Sequence, residues 1–201
     1  MIIVDDIEQG TPEWHELRIG NPGASSLDKV ITSTGKRSSQ RKAYLYKMAG
    51  ELLINSKEEN FVTDAMKRGT EMESEARDLF QLVTGLTVKG VGLCYENELK
   101  QWHVSPDGLI EGQKKGLEIK CPLLHTAVEY LAGGKLPTKY KIQVQASLAL
   151  TGYETWYFMS YYPGLKPFII EVKRDEKLIT AIKKEVEDFC FDLKALVEKL
   201  S

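Results

Sequence analysis

The chain has 201 residues, 42% apolar and 28% charged, with a formal net charge of −2. These values suit one compact domain over residues 1–201 and exclude disordered, fibrous and strongly basic classes. The three cysteines, Cys94, Cys121 and Cys190, are odd in number and show no CxxC spacing, so neither a disulfide framework nor a zinc site is expected and a reducing cytoplasm fits. The opening MIIVDDIEQG turns acidic within five residues and does not read as a signal peptide. No apolar run approaches the ~20 residues a membrane helix needs, so no membrane partner is expected.

Thr11-Pro12-Glu13 is a helix start, a capping Thr followed by Pro at the first helical position, and predicts a short helix from Glu13 to Gly20. Ala24-Ser25-Ser26 opens another, running through Asp28 to Thr32. GKRSSQRK, Gly35 to Lys42, is polar and basic and reads as a mobile loop. A helix follows from Lys42 to Asn55 with Leu45, Met48, Ala49, Leu52 and Leu53 on one face, then a long helix from Thr63 to Thr84 stopped by Gly85. Its apolar stripe is Met72, Ala76, Leu79, Phe80 and Val83.

The period then changes to two. Thr87 to Tyr95, Gln101 to Ser105 and Gly116 to Cys121 read as strands of a meander. Helices from Thr126 to Ala132 and Thr138 to Leu150, strands from Thr155 to Tyr161 and Pro167 to Lys173, and a closing helix from Asp175 to Leu200 complete the chain. This order predicts an α/β (α+β) domain with a central mixed β-sheet flanked by helices.

The chemistry concentrates in HVSPDGLIEGQKKGLEIKCP, His103 to Pro122. Ser-Pro-Asp-Gly suits a type I turn. On the strand after it, alternation puts Leu117, Ile119 and Cys121 on one face and Glu118 and Lys120 on the other. A short hairpin brings Asp107 beside Glu118. Converging carboxylates repel unless a cation compensates, and Mg²⁺ takes such oxygen ligands, including the backbone carbonyl of Ile119. A lysine among them orients and activates a water for attack on a phosphodiester. PDG followed by ExK on the next strand is the PD-(D/E)xK nuclease signature. A third carboxylate is expected from the long helix, where Glu73 lies close in angle to Phe80; Glu71 and Glu75 are its rivals.

Beyond that triplet, TPEWHELRIGNPGASS, RGTEMESEARDLF, VSPDGLI, GLEIKCP, YKIQVQASL and WYFMSYYP occur in an order that resembles the lambda-type exonuclease (YqaJ-like viral recombinase) family. The resemblance covers nearly the whole chain. It implies a restriction-endonuclease-like fold in which Glu73, Asp107, Glu118 and the Ile119 carbonyl bind metal, Lys120 is the catalytic lysine, and Tyr140 and Gln143 line the active-site edge of a helix. Arg18, Ser25 and Ser105 correspond to residues that hold the 5′-phosphate of the strand being cut. Arginine suits a bidentate phosphate grip, serine hydroxyls add donors, and a helix N-terminus at Ser25 would favour an anion. Met66 falls at a residue that wedges into the duplex end. A basic residue the family places after the ExK strand has no clear counterpart here, His125 being nearest.

The implied activity is Mg²⁺-dependent, with two ions expected and Mn²⁺ able to substitute. It digests one strand of linear double-stranded DNA 5′→3′ to mononucleotides, by a homotrimer that works with a single-strand annealing protein in phage recombination. An endonuclease or repair nuclease of the same superfamily is the alternative, followed by a non-catalytic DNA-end adaptor. The basic segments GKRSSQRK and GGKLPTKYK are expected to face the DNA.

Overall fold

The computed structural model describes residues 1–57 and 64–201, with the side chains of 64–66 excepted. The expected start of the long helix at Thr63 and the side chain of Met66 therefore lie outside the described residues.

Two sheets form the frame. The larger is five-stranded and mixed, in the order β2 (Val88–Lys89), β5 (Gly108–Ile110), β6 (Lys115–Lys120), β7 (Thr155–Ser160), β8 (Phe168–Lys173). Only β6 and β7 run parallel, because α4 (Leu124–Gly133) and α5 (Thr138–Thr151) supply the crossover such a pair requires. The smaller sheet is antiparallel, in the order β1 (Ile2–Val4), β3 (Leu93–Tyr95), β4 (His103–Val104).

The alternation read in β6 holds. Leu117 and Ile119 are buried against α3 (Asp64–Thr84), in a cluster with Ala76, Phe80, Ile110 and Met159. The opposite face carries Trp156 and Phe158 into a second cluster with α5, α2 (Arg41–Ile54) and α6 (Glu176–Leu200). Glu118 and Phe158 are register partners on parallel strands, so Glu118 shares that second face and looks at α5.

Several expectations are corrected. Thr87 to Tyr95 is not one strand. The chain leaves the large sheet at Gly90 and joins the small one at Leu93, and a Cβ on Gly92 would sit 2.3 Å from the Ile7 carbonyl oxygen, so only glycine lets the two segments approach. Gln101 to Ser105 contributes β4 to the small sheet, so the strand paired with β6 is β5, which follows Asp107. Ser-Pro-Asp-Gly therefore carries the chain from one sheet to the other, and Asp107 N–H already donates to Leu117 O at 3.2 Å.

The first helix, α1 (Pro12–Glu16), is shorter than expected, though Thr11 Oγ1 caps it by accepting from Trp14 N–H. The second is a 3-10 turn, Ala24–Lys29, capped by Gly23, so Ser25 gains no helix dipole of consequence. On α2 the buried face is Tyr44, Met48 and Ala49, whereas Leu53 is exposed and Leu52 covers Gly20. Val83 on α3 is also exposed, because that helix runs past the sheet it packs on.

GKRSSQRK is not a free loop. Ser38 N–H donates to Val30 O at 2.9 Å, Arg37 pairs with Glu185 at 2.8 Å, and Arg41 pairs with Asp192 at 2.8 Å. Those arginines are tied to α6 by ion pairs, Arg41 buried and Arg37 exposed. In GGKLPTKYK, Lys141 pairs with Asp175 and Lys139 lies over the Tyr140 ring, while Lys135 is exposed.

Candidate active site

The site lies where three layers meet at one end of the large sheet. Asp107 stands at the start of β5, an interior strand, on the edge formed by the strand ends. Its Oδ2 accepts the Ile119 N–H at 2.5 Å, so the side chain continues the ladder that β5 makes with β6. A strand residue turns its N–H and C=O to the same flank, so the Ile119 carbonyl lies on the Asp107 side as expected. Glu118 is buried behind this edge, and its Oε1 takes both the Lys120 ammonium and the Gln143 amide, the latter at 2.6 Å. Tyr140, one helical turn before Gln143, places its ring 5.4 Å from Lys120 Nζ and packs on Phe158.

Glu73 approaches from α3 and accepts from Arg77 at 2.7 Å. Its rivals separate from it: Glu75 bonds the Tyr161 hydroxyl, and Glu71 is exposed. Glu73 lies within electrostatic reach of Asp107 and Lys120. The angular argument from the α3 stripe therefore selects the same residue as the geometry.

The electrostatics are those of crowded carboxylates. Burial pushes Glu118 up to about 7, against the pull of Lys120, and the charges of Asp107 and Glu73 add to the rise. Burial likewise raises Asp107, and burial and Asp107 raise Glu73. Burial opposes the charge on Lys120, but Glu118 and Asp107 outweigh it and raise its pKa, so it is an ammonium. All three acids sit above their ordinary range because desolvation, with repulsion added at Glu118 and Glu73, exceeds what the neighbouring cations offset.

Among the described residues, no group of three His, Cys, Asp or Glu is drawn together closely enough to hold an ion as it stands. Each carboxylate is instead turned onto a protein donor: Glu73 to Arg77, Asp107 to Ile119 N–H, Glu118 to Lys120 and Gln143. The donor set nevertheless fits a hard divalent cation, because it is all oxygen, under-neutralised, and faces one another from three sides.

An open cleft of about 1290 Å³ leads to Glu73 and Asp107 and continues past Arg77, Lys57 and Arg18. Next to it, a small pocket is lined by Arg18, Ser25, Ser105, His103, Gln143 and Ser147. The three residues expected to hold a 5′-phosphate thus share one pocket, and Gln143 joins that pocket to the carboxylates. Ser105 Oγ is buried there with no hydrogen-bond partner among the described residues. His125 is exposed and stands apart.

Sequence reasoning missed several members. Trp14 stacks under the Arg18 guanidinium at 3.8 Å, an i,i+4 pair that WHELR could have disclosed. Gln9 donates to the carbonyls of Val91 and Pro106, both at 2.8 Å, pinning the crossover into Asp107. Lys57 faces the cleft, where burial and the Arg18 charge depress it to about 8. Arg68 donates to the Pro122 carbonyl at 3.2 Å and lies over Tyr162, bracing α3 against the end of β6.

A mixed sheet with an acid at its edge, an ExK pair on the next strand and a glutamate from the flanking helix defines the PD-(D/E)xK-like class. Residues 13–154 match the YqaJ-like viral recombinase domain, and the chain belongs to that family. Its structure is similar to that of an alkaline exonuclease, LHK-Exo from Laribacter hongkongensis, with a TM-score of 0.85 and 33% identity over 94% of this chain and 96% of that one. The same enzyme in complex with dAMP matches at 34% identity, again with a TM-score of 0.85 and coverage of 94% and 96%. A phage-related exonuclease from Haemophilus somnus 129PT shares the fold, with a TM-score of 0.70 and 18% identity over 90% and 96% of the two chains. No curated protein sequence matches the chain.

Proposed function

We propose that this protein is a Mg²⁺-dependent 5′→3′ exonuclease that degrades one strand of linear double-stranded DNA to mononucleotides and leaves 3′ single-stranded tails. The observation that carries this reading is the junction at Gln143, which bonds Glu118 and lines the pocket of Arg18, Ser25 and Ser105. An anion pocket beside the carboxylates suits a terminal 5′-phosphate gripped next to the bond being cut. The relatives named as exonucleases, one of them holding dAMP, support the same class of reaction.

The residues divide the work. Arg18, with the Ser25 and Ser105 hydroxyls, binds the terminal phosphate. Glu73, Asp107, Glu118 and the Ile119 carbonyl would hold Mg²⁺, in one or two ions and with Mn²⁺ able to replace it. When bound, the metal neutralises phosphate charge and lowers the pKa of a coordinated water. Lys120, ammonium in form, orients that water and donates a hydrogen bond to the scissile phosphate oxygens. Gln143 fixes the Glu118 carboxylate, and Tyr140 flanks Lys120. In the same reading the protein acts as one domain, assembled as a homotrimer, and hands its tails to a single-strand annealing protein in the bacterial cytoplasm. The viral recombinase domain supports the recombination role.

Linear duplex labelled at either end, incubated with and without Mg²⁺, tests the proposal. Mononucleotide release from the 5′ label only, and only with Mg²⁺, is expected. Ready linearisation of closed circular duplex would instead favour an endonuclease, and intact 5′-phosphorylated duplex would favour an adaptor without catalysis.

A further inference from the structure

Arg18 is held in an unusual way. Its Nε–H donates to His103 Nε2 at 3.0 Å, and its plane rests on Trp14 at 3.8 Å. Trp14 is itself anchored by Nε1–H donating to Gly92 O at 2.9 Å. His103 Nδ1 lies 2.9 Å from Asn21 Oδ1, and the Asn21 amide donates from its Nδ2 to the Lys100 carbonyl. That last bond settles the amide's orientation and therefore the tautomer: Nδ1 carries the proton and Nε2 the lone pair that Arg18 uses.

From these contacts we propose that His103, locked by Asn21, is the positioning residue of the 5′-phosphate grip. It fixes Arg18 by its Nε and, among the described residues, leaves both terminal nitrogens to take a phosphate bidentately. The inference rests on the functional reading above.

Three further observations support it. A guanidinium has five N–H donors, of which this arrangement consumes one. The hydrogen-bond partner is an uncharged acceptor, so this bond orients Arg18 without pairing it to a carboxylate, and Glu51 acts on it only through space. A carboxylate in the same place would orient it equally well and cancel the charge the phosphate needs. Burial, and the charges of Arg18 and Lys57, hold the His103 imidazole well below its ordinary pKa, so the ring stays an acceptor. The backbone is also cut to fit. His103 N–H donates to Pro22 O at 3.1 Å, and a Cβ on Gly23 would stand 2.7 Å from His103 Nε2, where it would push the ring off Arg18. His103 and Arg18 line the same pocket as Ser25 and Ser105.

The test compares kcat/KM on linear duplex with 5′-phosphate and 5′-hydroxyl ends for wild type, His103→Ala, His103→Gln, Arg18→Ala and the double variant Arg18→Ala/His103→Ala. His103→Ala should lower the phosphate preference about tenfold, the worth of one hydrogen bond to a charged group, mainly through KM. His103→Gln, which keeps an uncharged acceptor, should recover most of it. In the Arg18→Ala background, His103→Ala should change the preference no further. An unaltered preference in His103→Ala, or an equal further loss without Arg18, overturns the inference. The Arg18 Nε–H resonance in ¹⁵N NMR reads the clamp without DNA: slow hydrogen exchange in wild type and His103→Gln, fast in His103→Ala. Fast exchange in wild type overturns the clamp, whereas equal rates on both ends in wild type with a protected Nε–H overturn only the 5′-phosphate reading.

Discussion

Lys120→Met isolates the charge that Lys120 brings to Glu118 while keeping a side chain of similar length. In the protein Glu118 is 2% exposed and already raised to about 7, with Lys120 pulling it down. Removing the ammonium lets the carboxyl rise further. An acid whose folded pKa exceeds its unfolded value stabilises nothing at high pH; it costs stability as pH climbs from the unfolded pKa to the folded one. In metal-free buffer below pH 6, Glu118 is protonated in both proteins and the variant should match wild type. Above pH 7 the wild-type carboxyl ionises beside Lys120 while the variant's does not, and each pH unit adds about 1.4 kcal/mol of deficit. The ceiling is the cost of stranding one member of a buried pair, taken near its lower end of about 3 kcal/mol because Lys120 is partly exposed. For a chain of this length that is a Tm lowered by about 3–6 °C at pH 8 and about 6–12 °C at pH 9. Calorimetric melts in EDTA from pH 5 to 9 read it directly. A deficit that is constant across the range, or largest at pH 5, would mean that Lys120 acts by packing and would refute the electrostatic account. Nuclease activity with Mg²⁺ should be lost at every pH, with binding of linear duplex largely kept.

Other consequences follow from the same geometry. Because cation binding must displace the Glu118 proton, Mg²⁺ affinity should fall about tenfold per unit below about pH 7, and calorimetry in buffers of different ionisation enthalpy should detect proton release. A pH-independent affinity would remove Glu118 from the ligand set. Gly108→Ala drives a Cβ to 2.1 Å from Val88 Cγ1 directly after Asp107, so it should cost about 1–3 kcal/mol and depress cleavage, and a second change, Val88→Ala, should restore both. Failure of that rescue would place the defect elsewhere. Arg41→Ala removes the 2.8 Å pair with Asp192 and should cost about 1–2 kcal/mol by urea unfolding. It should leave cleavage and the salt dependence of DNA binding unchanged, and a reduced salt slope would return this segment to the DNA surface.

The parts legible in the sequence are those encoded by short-range pattern. Alternation along Leu117-Glu118-Ile119-Lys120 gave one buried face and one chemical face, as found. A 3.6-residue stripe put Glu73 beside Phe80, and the i,i+3 spacing of Tyr140 and Gln143 put both on the helix face that meets Lys120 and Glu118. The parts that were not legible depend on contacts distant in the chain. Nothing local marks the three-residue strand β5 or the exchange of sheets at Gly92, which answers to the Ile7 carbonyl. GKRSSQRK has the composition of a loop, and it is backbone bonds to the segment before it and the acids at 185, 188 and 192 on α6 that make it a fixed turn. His103 reads as one more strand residue until Arg18, 85 positions earlier, arrives at its Nε2.

The distribution of charge explains why a net charge of −2 is compatible with a DNA-processing role. The cleft has two ends of opposite character. At one, Arg18 is hydrogen-bonded to a histidine rather than an acid, and burial, with the Arg18 charge added, depresses Lys57 to about 8. At the other, three carboxylates are crowded beside Lys120 and Arg77, and burial raises all three pKa values, with repulsion adding to the rise at Glu118 and Glu73. The first end attracts an anion as built; the second attracts one only after a cation has arrived. On the reading proposed here, a terminal phosphate docks at the Arg18 end, and the next phosphodiester reaches the carboxylates only when they are loaded with metal. Gln143 touches both ends, bonding Glu118 and lining the Arg18 pocket, so one side chain couples the hold on the end to the geometry of the cut. The local field within about 10 Å of the phosphates, set by these few groups, governs binding at physiological salt, while the acids elsewhere on the surface are screened.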